Sequence, residues 1–238
     1  MLASSEGTSP QVGTLGTEVQ RPATFRYELI NFVADELPKW RSRRDRRTVT
    51  GETRLTSQLC AHLNSSARHA PGWDILQFRV EEPDETSAGR TVDLTAAPSG
   101  TTISIAGRSY TDFDSLFPIE CKRLPTPSGA RRDEREYVIC GEGSTGGIQR
   151  FKAGHHGAAH EFGAMIGYIQ ENDTAHWSQR VASWINGLVG AEPGWSSDDL
   201  LRDYLYDGGK KLATSTSLHQ RQNGLPAIEL RHLWLEMN

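Results

Sequence analysis

The sequence predicts an α/β protein with a central mixed β-sheet flanked by helices, and three observations carry that expectation. Two early segments repeat apolar residues at three- and four-residue spacing: Phe25, Leu29, Phe32, Val33 and Leu37, then Leu55, Leu59 and Leu63. One buried helix face needs that spacing. Between residues 75 and 124 the pattern changes to short runs bounded by glycine and proline, which is the signature of strands. After further helical segments the chain returns to two strand-like runs. With 238 residues, 36% of them apolar, and a mean hydropathy of −0.55, the chain is long enough for one sizeable water-soluble domain.

In chain order, residues 1–23 are rich in Ser, Thr, Gly and Pro and read as a flexible tail, leaving 24–238 as a single domain. The first helix starts at Thr24 and is expected to end at Pro38, because proline cannot donate the next helical hydrogen bond. The second runs from about Thr50 to Ser65, with Glu52 in its first turn. There Glu52 either complements the helix dipole or aims a carboxylate at the sheet. Strands are expected at 75–80, 91–96, 102–106 and Phe117–Leu124, forming a meander that Pro125, Pro127 and Gly129 close. Helices are predicted over 157–170, on Ala158, Phe162, Met165, Ile166 and Ile169, and over the stretch containing Trp177, Val181, Trp184, Ile185 and Leu188. The latter lies in a helical insertion around 172–206. Strands at 211–219 and 227–235, joined by a Gln222-Asn223-Gly224 turn, end the chain, the last one closing or extending the sheet.

Several function classes are excluded or disfavoured. No apolar run approaches the roughly 18–20 residues of a membrane helix, and the N-terminus has neither the basic start nor the apolar stretch of a signal peptide. Three scattered cysteines (Cys60, Cys121, Cys140) without a CxxC pair fit a reducing cytoplasm. No P-loop is present. A G-x-G-x-x-G match at 141–146 lacks a buried strand before it and a helix start at Gly147, so it does not read as a dinucleotide site. His155, His156 and His160 beside Glu161 are a candidate metal cluster, the spacing of His156 and His160 being one that would put both on one helical face, but no zinc-type spacing accompanies them.

The formal net charge of −4 hides a local concentration. Lys39, Arg41, Arg43, Arg44, Arg46, Arg47 and Arg54 stand against only Asp45 and Glu52. Such a run is either a solvated helix end or a surface that neutralises backbone phosphates. Gln149, Arg150 and Lys152, in a glycine-rich charged stretch, are candidates for the same contact.

The chemistry concentrates in two strands. In Phe117–Leu124, Glu120 and Lys122 project on one face while Ile119 and Cys121 point to the other. In 91–96, Asp93 stands opposite Val92, Leu94 and Ala96. If the strands are neighbours, two carboxylates and a lysine converge, the residue types that metal-assisted phosphodiester cleavage uses.

With Asp93, Glu120-Cys121-Lys122 and the upstream helix acid Glu52 in this order, the chain resembles the PD-(D/E)xK, restriction-endonuclease-like nuclease superfamily. Val92 stands where that superfamily often has proline. The resemblance implies an αβββαβ core and a DNA-cutting endonuclease that uses Mg²⁺, for which Mn²⁺ may substitute. Asp93, Glu120, Glu52 and the Cys121 carbonyl would hold the ion, and Lys122 would orient or help deprotonate the attacking water. Residues 146–168 look like nuclease subunits of bacterial phage-defence systems, which implies DNA and a helicase or ATPase subunit as partners. The alternatives are a catalytically silent nucleic-acid-binding or assembly subunit, and a metal hydrolase built on His156, His160 and Glu161.

Overall fold

A computed structural model describes residues 18–84, 89–129, 132–140 and 146–238. Strand β1 (Glu18–Arg21) leads into helices α1 (Phe25–Arg41) and α2 (Glu52–His69). Then come β2 (Leu76–Pro83), β3 (Thr91–Pro98), the hairpin β4 (Thr102–Ile105) and β5 (Arg108–Tyr110), and β6 (Phe117–Leu124). The short helix α3 (Gly147–Lys152), β7 (Phe162–Ile169) and α4 (Thr174–Leu188) follow, and β8 (Arg202–Asp207), β9 (Leu212–His219) and β10 (Ile228–Glu236) end the chain. Seven strands form one sheet in the order β2-β3-β6-β7-β10-β9-β8. β7 is parallel to both β6 and β10, and the remaining pairs are antiparallel, so the sheet is mixed as expected.

Both helices on the first face follow their apolar spacing. Leu29, Val33 and Leu37 of α1 and Leu55, Leu59 and Leu63 of α2 are fully buried with Ile119, Cys121 and Tyr168 of the sheet. Each such leucine contributes about 2 kcal/mol of burial free energy. The opposite face is covered by α3, α4 and the 137–139 segment, through Tyr137, Ile148, Phe151, Trp177, Val181 and Trp184. Among the described residues no helix is long and apolar enough to cross a membrane.

The structure revises several expectations. The predicted helix over 157–170 is a loop followed by β7, which lies between β6 and β10 with all eight residues buried. A strand covered on both faces needs no alternation, so an unbroken apolar run carries no diagnostic period. Close packing selects its glycines: a Cβ on Gly167 would lie 2.5 Å from Cδ1 of Trp234. Helix α1 continues one turn past Pro38, because buried Trp40 anchors the last turn and a proline this near the end removes a single bond. Gly147 does open a helix, α3, whose Ile148 and Phe151 are buried three residues apart.

Residues 18–21 form β1 rather than tail, pairing in parallel with β4, while 1–17 lie outside the described residues. The 102–106 run therefore leaves the meander for a three-stranded side sheet, and β3 pairs directly with β6. Within 172–206 only α4 is a long helix, since 202–207 is the edge strand β8. The last strand does join the sheet, but from within it: β10 lies between β7 and β9 and carries β9 and β8 onto the β7 side.

Candidate active site

The site forms where the β3–β6 ladder opens. Pairing runs from Ala96↔Phe117 to Leu94↔Ile119 and stops, which leaves backbone N–H groups of β6 facing β3 without a strand partner. Carboxylates take them up: Cys121 N–H donates to Oδ2 of Asp93 at 2.8 Å, and Arg123 N–H donates to Oε2 of Glu52 at 2.9 Å. Asp93 and Glu120 are thus brought side by side, the adjacency on which the sequence argument depended. Helix α2 supplies Glu52 from its first residue.

The three acids converge on Lys122. Its Nζ lies 2.8 Å from Glu120 Oε1, 3.3 Å from Glu52 Oε1 and 3.6 Å from Asp93 Oδ2, and it donates to the Cys121 carbonyl at 3.1 Å. Burial works against charge on this lysine, but Glu120, Asp93 and Glu52 overcome it and raise its pKa, so it stays an ammonium.

Glu120 is fully buried. Its Oε1 also accepts from Arg150 at 2.7 Å, while Nδ1 of His156 approaches Oε2 at 3.1 Å without the alignment of a hydrogen bond. Burial alone would push Glu120 up, yet Lys122 first, then His156 and Arg150, hold it well below the ordinary carboxylate value. Asp93 goes the other way. Burial and then the Glu120 charge push it up to about 7, against the pull of Lys122 and the Cys121 N–H. Its side chain keeps 27% exposure and faces a cleft of about 270 Å³ that Glu52, Thr56 and Glu81 also line.

The donor types suit a hard divalent cation: carboxylate oxygens from Asp93, Glu120 and Glu52 and the Cys121 carbonyl. In the present arrangement a cation already stands among them, the Lys122 ammonium. Among the described residues no group of three or more His, Cys, Asp or Glu side chains is placed to hold a metal. The histidine cluster is no exception. Residues 153–161 are not helical, so His156 and His160 share no helix face, and His156 turns toward Glu120.

The basic candidates separate into two groups. Arg44, Arg47 and Arg54 are exposed. Arg43 pairs bidentately with Asp45, Arg46 stacks over Trp40 at 5.2 Å, and Arg41 donates to the carbonyls of Lys210 and Glu236. Together with Gln58 and Ser65, Arg43, Arg46 and Arg47 border a groove of about 700 Å³. Of the second set, Gln149 accepts from the Cys140 N–H and Arg150 binds Glu120. Lys152 is a correction: it is buried in an ion pair with Asp199 at 2.5 Å, so no phosphate contact falls to it.

Sequence reasoning missed Glu81 at this site and assigned His156 to a separate histidine cluster rather than to Glu120. Glu81 falls between the pairs Val80↔Leu94 and Glu82↔Val92, opposite Asp93, at a positive φ of 52°. In sequence Glu81 opens an acidic, polar stretch between two strand-like runs and carries no mark of its own, and the 36-residue separation of His156 from Glu120 leaves no local signal. It also missed a buried polar chain on the same sheet face. Trp234 Nε1–H donates to Tyr137 Oη, which bonds His232 Nδ1. His232 Nε2 bonds Ser217, Ser217 bonds His219 Nε2, and His219 Nδ1 reaches Asp199, each at 2.6–2.7 Å. The polar alternation Ser215, Ser217, His219 on the inward face of β9 was its one sequence trace.

No family model, curated protein or solved structure matches the chain.

Proposed function

We propose that the chain is a divalent-metal-dependent nuclease of the PD-(D/E)xK type that hydrolyses DNA phosphodiesters, with Mg²⁺ as the ion and Mn²⁺ as a substitute. One observation carries the reading: Asp93 and Glu120, from neighbouring strands, meet Glu52 and Lys122 at a point where the sheet opens onto a cleft. The order α2, β2, β3, β6, α3, β7 around that point supports it, being helix, three strands, helix, strand.

Asp93, Glu120, Glu52 and the Cys121 carbonyl would hold the ion, which when bound activates a water and offsets charge on the leaving oxygen. Lys122 is the electrostatic partner of the anionic phosphorane. Its raised pKa assigns it orientation and charge stabilisation rather than proton abstraction. The exposed Arg44, Arg47 and Arg54 would follow the nucleic-acid backbone. A helicase or ATPase partner and a cytoplasmic role in phage defence belong to the same proposal.

The test is metal-dependent cleavage of plasmid and oligonucleotide DNA by the wild-type chain, with Glu120→Ala and Lys122→Ala alongside. Each variant should lose at least about a hundredfold in rate, as removal of a transition-state electrostatic contact does. Cleavage that survives both changes removes the proposal. The second reading, a silent binding subunit, is favoured by the complete enclosure of Glu120 under Lys122, Arg150 and His156. It predicts salt-sensitive DNA binding without nicking.

A further inference from the structure

A second pocket, open to solvent and enclosing with its mouth about 430 Å³, lies on the same sheet face as the carboxylates. Its floor includes Thr95 and Pro118, which are register partners on β3 and β6. Asp93 and Glu120 are the next residues on that face of each strand, two positions away, about 7 Å along the strand direction. That step is close to the reach of one nucleotide in an extended strand.

The cavity wall joins one open ring to a set of polar groups. Phe113, at its edge, is 90% exposed, the most exposed large apolar side chain among the described residues. Its turn is held in place. Thr111 N–H and Oγ1 both donate to Oδ2 of Asp114, Gly100 N–H donates to Oδ1 of Asp112, and Arg79 donates to the Asp112 carbonyl. Arg79 also has its Nε buried without a hydrogen-bond partner and stands 3.6 Å from Glu82. Thr95 and Ser115 hydroxyls bond each other beside Pro118 and Val92. A flat apolar ring on a rigid turn, with a guanidinium, a carboxylate and hydroxyls around an apolar floor, matches a nucleobase: one π face and an edge of donors and acceptors.

We propose that this cavity receives an unstacked nucleobase of the strand being cut, so that the substrate class is nucleic acid with unpaired bases near the scissile phosphate. The assignment rests on the nuclease reading for the position of that phosphate, and on the cavity for the base. Fully paired duplex would have to extrude a base to fill it, and single-stranded or frayed ends would not.

The full chain is mixed in EDTA, where no cleavage occurs, with a single-stranded oligonucleotide carrying 2-aminopurine. Wild type should change the fluorescence of that base on binding. Phe113→Ala, at a solvent-facing position, should lose the change and bind the strand about tenfold more weakly. Its affinity for a blunt duplex should move less than twofold. An unchanged fluorescence response in Phe113→Ala, or equal weakening toward single strand and duplex, overturns the assignment. The outcome is separable from the nuclease reading: a base signal that depends on Phe113 without metal-dependent cleavage of any substrate keeps the cavity and removes the nuclease.

Discussion

Two polar clusters share one face of the seven-stranded sheet, separated by the apolar strand β7, and they are built on opposite principles. In the chain from Trp234 to Asp199 every group has a partner and the proton order follows from its ends. Trp234 can only donate and carboxylate Asp199 can only accept. Hence Tyr137 donates to His232, His232 to Ser217, Ser217 to His219 and His219 to Asp199, with both imidazoles neutral. Burial lowers both histidine pKa values, that of His232 to about 3. The cluster around Lys122 has a surplus instead. Three carboxylates face it, Oε2 of Glu120 lacks a hydrogen bond, and Asp93 is pushed up to about 7.

The difference teaches that one face can hold two kinds of polar cluster. The closed network matches every donor with an acceptor, whereas the cluster at the opening keeps unbalanced charge, which the proposed cation would offset. The six-residue α3 ties the two together, with Arg150 on Glu120 and Lys152 on Asp199.

The most severe way to break the comparison is Lys122→Met. It leaves three carboxylates without their common cation and should cost about 3–5 kcal/mol in urea unfolding at pH 7. A loss under 1 kcal/mol would mean that the acids are already solvated or protonated.

Ser217→Ala attacks the balanced side. It unpairs Nε2 of both His219 and His232 and should cost about 2–3 kcal/mol. Metal-dependent cleavage should be unchanged while the variant is folded. The same chain sets an acid limit. Folded His232 and His219 bind protons more weakly than in the unfolded chain, so their contribution is complete above about pH 6.5 and is lost as pH falls from there toward 3. Asp93, raised to about 7, takes up a proton on folding and opposes this drop over the same range, so the profile is read in an Asp93→Asn background. There unfolding free energy should begin to drop near pH 6.5, and a flat profile from pH 7 to 5 would contradict neutral imidazoles.

The smallest effect has the opposite sign. Asp93→Asn removes the surplus anion and keeps an oxygen for the Cys121 N–H, so at pH 8 it should gain about 1–2 kcal/mol while abolishing cleavage. Destabilisation at pH 8 would show that Asp93 is a net structural contributor and that the cluster holds no excess charge.

Much of this arrangement was legible in the chain itself. Helices α1, α2 and α4 follow their 3.6-residue spacing, and the bounds of β6 were read correctly because Glu120 and Lys122 alternate with Ile119 and Cys121. Reading failed where local pattern carries no information. Phe162–Ile169 is apolar at every position, so only its place between β6 and β10 makes it a strand. The 102–105 run has strand character but no mark that sends it to a side sheet with β1.

By itself the sequence determined the elements with a clear period and the residue types of both clusters. Tertiary structure alone decided which of these meet. It closed β3 on β6, turned His156 and Arg150 onto Glu120, buried Lys152 on Asp199, and set Phe113 at the edge of the pocket floored by Thr95 and Pro118. The physical reason is range: spacing along the chain dictates which face a side chain occupies, whereas pKa values and empty space depend on groups dozens of residues away.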